Sequence, residues 1–185
     1  MPRSRMAVCF GEDLDLDLVL AEAPASAEAL VVPQDIHLIL GEATVIEDTG
    51  ETPAEALAAL LGRERPRRRG TVLVSPGAEG TPLLLQAIVY DFEDTPPARE
   101  VHVFESLLAA FEEATRRRLK SVAVRPLGTA HAGLAPAVFV RLLAQVCFTA
   151  AELGTTLRHV HLVLPSPDEL SCYERLVREL LMPPA

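Results

Sequence analysis

The sequence predicts an α/β domain in which helices cover both faces of a central sheet. Three observations carry this. Short apolar runs alternate with helix-length amphipathic segments through the second half of the chain. Several of those runs are apolar at nearly every position, as strands buried on both faces are. One of them leads through a loop of small residues straight into a helix.

Residues 7–10 form the first apolar run. Residues 13–20 alternate acid and leucine, which fits a half-exposed edge strand or a loop, and the pattern leaves both open. A second strand covers 29–32. Thr52-Pro53-Ala54-Glu55 then supplies an N-cap hydroxyl, a proline at the first position and a glutamate at the third, a capping box that opens a helix to about residue 61. Strands follow at 71–75 and 84–91. Phe104, Leu107, Leu108 and Phe111 stand at i, i+3, i+4 and i+7, so 101–118 is an amphipathic helix closed by arginines.

After a strand at 121–125, Phe139, Leu143, Val146, Cys147 and Ala150 define a helix over 136–153, with Gly154 as its C-cap. The last strand is 160–164. Ser166-Pro167-Asp168-Glu169 repeats the capping chemistry and opens a final helix with Leu170, Tyr173, Val177 and Leu180 on one face. This order implies right-handed parallel crossovers. One domain over 1–185 is expected, with residues 1–5 disordered.

Composition bounds the function. A chain of 185 residues, 49% of them apolar, can bury one full core. Residues 6–10 are too short for a secretory signal and run into Glu12-Asp13, and no run approaches membrane-spanning length. Cys9, Cys147 and Cys172 are odd in number and lie among apolar neighbours, so buried free thiols and a cytoplasmic location are expected. The net charge is −9. The basic runs (Arg63, Arg65, Arg67, Arg68, Arg69, and 116–118) lack interleaved aromatics and are expected to be solvated. Neither nucleic acid nor membrane is an expected partner.

Ser121-Val-Ala-Val-Arg-Pro-Leu-Gly-Thr-Ala-His-Ala-Gly-Leu-Ala-Pro136 carries the chemistry. Gly128, Thr129, Ala130, Ala132 and Gly133 have little bulk, and Pro136 suits a first helical turn. Backbone N–H groups and the positive end of a helix would then face a phosphate or diphosphate. On spacing alone, a tight connection using small residues for sterics is the favoured reading, since glycine-rich connections are common.

This segment resembles the macro-domain motif S-I-A-F-P-x-[IL]-[SG]-T-G-x-x-G, and Gln86-Ala-Ile-Val-Tyr-Asp91 resembles the family's I-H-A-V strand. The resemblance implies a three-layer α/β/α macro-like fold with a mixed central sheet. It also implies an ADP-ribose or other nucleotide ligand cradled by Gly128, Thr129, Ala130, His131, Ala132 and Gly133. Ala130 replaces the family's middle glycine; a positive φ there would cost about 1 kcal/mol or more. The asparagine element falls on Val32-Pro33-Gln34-Asp35, so Gln34 and Asp35 are the residues left at that half of the site. Of the adjacent glycine-rich loop, near 38–44, only Gly41 remains. By the same resemblance Asp13, after the first strand, would meet adenine. No aromatic follows the last strand.

The expected function is therefore non-catalytic binding. A hydrolase using Asp35 or His131, and an interaction module with a protein partner or a second copy, are the alternatives. His131 could donate to a phosphate or act as an acid–base group. Gly133→Glu is expected to abolish binding and spare the fold. His159 and His161 share a strand face but lack a third ligand, and Asp91, Glu93 and Asp94 are expected to be solvated acids, so no metal or cofactor is expected.

Overall fold

Parallel strands need crossovers, and this chain supplies them as helices. The computed structural model describes residues 3–20, 27–40, 66–76 and 82–182. Its strands are β1 (Arg3–Phe10), β2 (Leu14–Leu20), β3 (Ala29–Asp35), β4 (Val72–Ser75), β5 (Leu83–Tyr90), β6 (Ser121–Val124) and β7 (His159–Leu164). The helices are α1 (Glu100–Arg116), α2 (Pro136–Leu153) and α3 (Pro167–Leu181). One mixed sheet runs β1-β2-β7-β6-β3-β5-β4, parallel from β2 to β5 and antiparallel at both edges.

The acid–leucine alternation of 13–20 is a strand, and it is not at the edge. Leu14, Leu16 and Leu18 are buried beneath the helices, while Asp15 and Asp17 point to the other face. There Asp17 bonds His161 of β7, its register neighbour, which satisfies two polar side chains at once. The first strand begins at Arg3.

The three described helices lie on one face, packed over a core that includes Phe111, Phe139, Leu143, Leu85 and Leu162. The opposite face carries a second apolar cluster of Ala27, Leu30, Val32, Ala123 and Val163. The fold is of the three-layer α/β/α class. The helix predicted over 52–61, and Gly41, lie outside the described residues.

Local signals explain the boundaries. Pro136 opens α2 and Gly154, at φ 82°, closes it. The Ser166 hydroxyl accepts the Glu169 N–H at 3.2 Å to start α3. At the end of α1, Arg116 and Arg117 both pair with Glu113.

Two expectations need correction. By length and composition α2 would pass for a membrane span; eight of its 18 residues are buried, as in a core helix. Only Cys147 is a fully buried thiol, and burial pushes its pKa far up. Cys9 is exposed because the antiparallel edge strand turns it to the acid-bearing face, where Asp15 raises its pKa through a hydrogen bond.

Candidate functional site

Five parallel strands bring their C-terminal ends to one side of the sheet, where α/β folds place ligands. Four described connections leave that end: 36–40 after β3, 91–99 after β5, 125–135 after β6 and 165–166 after β7.

The β6 loop is tied across itself. Leu134 N–H donates to Gly128 O at 2.6 Å and Gly133 N–H to Ala130 O at 3.0 Å. Its two glycines serve packing. A Cβ at Gly128, whose φ is 73°, would sit 2.7 Å from Val103 of α1, and one at Gly133 would sit 2.0 Å from Gly128 O. Gly133→Glu would therefore break the loop itself, so it cannot report on binding while sparing the structure.

The left-handed residues are Gly128, His131 (φ 55°) and Ala132 (φ 56°), not Ala130. Alanine at 130 is unstrained, and the strain moves two residues on. Histidine tolerates that region better than most residues, while alanine there costs about 1 kcal/mol.

Two tyrosines hold this loop from outside. The Tyr90 hydroxyl accepts Ala130 N–H at 3.1 Å and donates to Ala130 O at 3.3 Å. The Tyr173 hydroxyl, on α3, bonds the Thr129 side chain. Both rings are buried, and burial pushes Tyr90 up to about 12 and Tyr173 higher still. These are the chain's only tyrosines. Sequence reasoning placed Tyr173 on the apolar face of the last helix and Tyr90 only within a strand; a buried phenol needs a partner for its hydroxyl, and that was the available signal.

Held this way, the loop keeps its outer donors. Among the described residues, the N–H groups of Thr129 and Ala132 donate to no acceptor. Shortly after them α2 begins at Pro136, its N-cap Ala135 offering no side-chain cap and its first turn no acid, so its positive end is uncompensated.

The β3 loop is built the other way. Asp35, 1% exposed, accepts N–H bonds from His37 (2.7 Å), Ile39 (2.8 Å) and Leu40 (3.0 Å). Gln34, also buried, accepts from the Asp35 and Leu40 N–H groups and donates to Leu40 O. Both residues stand at the site end of the sheet, but their polar atoms face into their own loop.

Asp13 stands at the opposite end. It pairs with Arg158 at 3.3 Å, just before β7 begins, and the six residues of β7 separate it from the site by about 20 Å. The reason is directional. β1 runs antiparallel to its neighbour, so β2 and not β1 delivers the chain to the site end.

Aromatic surface gathers beside the loop. Phe92 stacks on Tyr90 with centroids 5.5 Å apart, and the exposed His131 meets both rings edge-on. Asp91 and Asp94 are not free acids: Arg69 and Arg99 bind Asp94 at 2.6 and 3.2 Å, and Arg69 reaches Asp91 at 3.9 Å. Hydrogen bonding to Arg69 holds the Asp94 carboxyl below its ordinary range. His159 stacks on His161, and no metal-holding group of side chains occurs among the described residues. A cavity of about 650 Å³ lies on the helical side, lined by residues including Phe10, Phe104, Phe148 and Leu180; none of its walls belongs to the loop.

No family model and no curated protein sequence matches the chain. Solved structures do. An Oceanobacillus iheyensis macrodomain with ADP is similar over 98% of each chain, at 16% identity and a TM-score of 0.74. A Trypanosoma brucei macrodomain in complex with ADP-ribose is similar over 88% of this chain and 68% of its own, at 15% identity and a TM-score of 0.63. The order of strands, the crossovers and these likenesses agree: this chain has the macro-domain fold.

Proposed function

We propose that the chain binds a nucleotide bearing a diphosphate, with ADP-ribose the first candidate, at the 128–133 loop and without catalysis. One observation carries the reading: Thr129 and Ala132 keep unspent N–H groups at the uncapped start of α2. Such donors at a helix N-terminus stabilise a diphosphate through hydrogen bonds and the helix dipole. The likeness to macrodomains solved with ADP and with ADP-ribose supports the same ligand class.

The β3 loop supports the non-catalytic part of this reading. Of the two candidate acid–base groups, the Asp35 carboxylate is already engaged by three N–H groups. Incubation with ADP-ribosylated protein is expected to release no ADP-ribose; release would restore the hydrolase alternative, with His131 as the remaining group.

Calorimetric titration tests binding, with ADP-ribose, ADP and inorganic phosphate as titrants. Micromolar affinity, about −8 kcal/mol, is expected for the two nucleotides. No heat with any of them would end the reading and leave a protein partner or a second copy of the chain as the occupant to seek. Ala132→Asp is the site variant of choice, since aspartate accepts a left-handed backbone and adds like charge. It should weaken nucleotide binding at least tenfold without lowering the melting temperature.

A further inference from the structure

Helix α2 packs against both α1 and α3 and still presents an exposed face. Between residues 141 and 152 its exposed positions are Arg141, Gln145, Phe148 and Glu152. Steps of four, three and four residues put all of them on one stripe, the spacing by which one helix seats on another. Phe148 keeps 55% of its surface accessible. Beside it lies the cavity of about 650 Å³, whose walls include Phe10, Phe104 and the half-exposed Leu180. An exposed ring bordering an apolar hollow marks an interaction surface rather than a lone surface hydrophobe.

The stripe is its own complement. It has a cation at one end and an anion at the other, and the midpoint of 141 and 152 is also the midpoint of 145 and 148. A second copy laid antiparallel about a two-fold axis there sets each Arg141 against Glu152 of the other copy. The same axis sets each Phe148 against the other copy's Gln145, at the edge of its hollow. Both charges then lie about 8 Å along the helix from the axis. A parallel arrangement would bring like charges together instead. Arg141 has donors to spare, since it gives one to Glu100 at 3.1 Å and a guanidinium carries five.

We propose that α2 is a dimerisation helix, its exposed stripe packing antiparallel on α2 of a second copy of the chain. Phe148 and the apolar hollow supply the affinity, and the Arg141–Glu152 pairs fix direction and register. No residue of the 128–133 loop takes part, so the inference stands apart from the nucleotide reading.

Sedimentation velocity over a micromolar concentration series tests it, and a reversible monomer–dimer equilibrium is expected. Phe148→Asp should weaken the dimer about a hundredfold, with the far-ultraviolet spectrum unchanged because the position is exposed. Arg141→Glu and Glu152→Arg should each dissociate the dimer by setting like charges together. The double variant should restore it, and so should an equimolar mixture of the two single variants, in which every pair is again of opposite sign. Damage to the monomer fold could produce neither rescue. A chain that stays monomeric at every concentration would overturn the proposal and leave the face to a different protein. So would a dimer indifferent to Phe148→Asp, or one that neither the double variant nor the mixture restores.

Discussion

The loops after β6 and β3 occupy neighbouring positions at one end of the sheet and use their backbones in opposite ways. In the 36–40 loop, side chains from the preceding strand turn inward and take up the N–H groups of residues 37, 39 and 40. In the 128–133 loop the bracing comes from Tyr90 and Tyr173, which stand outside it, and the N–H groups of Thr129 and Ala132 donate to no acceptor among the described residues. Small side chains alone do not make a phosphate loop. What matters is who satisfies the backbone.

Asp35→Asn should give the largest effect, because it sets an amide donor against buried N–H groups. A loss of about 3 kcal/mol in urea unfolding is expected. A carboxylate that faced ligand would lose little, so an unchanged midpoint would erase the contrast between the loops.

Tyr90→Phe and Tyr173→Phe should each cost about 1 kcal/mol of stability and also weaken nucleotide binding, since each removes a brace from the open loop. The phenols offer a second reading. A raised folded-state pKa gives stability that is complete below the unfolded value, near pH ~10, and is lost as pH rises toward about 12 for Tyr90. Spectrophotometric titration should therefore show almost no tyrosinate near pH ~10; a full transition there would mean the hydroxyls are not held.

Glu113→Gln, far from both loops, calibrates the scale. Arg116 and Arg117 depress the Glu113 pKa, so its contribution is present above the ordinary carboxylate range and disappears as pH falls through the lowered value. About 0.5 kcal/mol at neutral pH is expected for such surface pairs, with no difference from the parent in acid.

Legibility in the sequence followed locality. Helix α2 could be read because Pro136 and Gly154 punctuate it, and α3 because Ser166 caps it. The 13–20 stretch stayed open because alternation does not say what lies on either side; only pairing with β1 and β7 makes it an interior strand. Asp13 followed from counting strands without their directions, and an antiparallel first strand reverses the answer. Gln34 and Asp35 stand where sequence placed them along the chain, but which way they face is decided by the loop that folds over them. Phe92 and His131 are 39 positions apart in the chain, and no periodicity brings them together.

Ala132 is where two kinds of selection would disagree. Glycine there would relieve the left-handed strain and raise heat resistance by about 1 kcal/mol, so a screen for thermostable variants should find it early. The same change would loosen the segment that presents the free N–H, and a ligand would then have to order it on binding. A screen for affinity should reject what the first screen keeps, leaving residue 132 as the point at which durability and recognition pull apart.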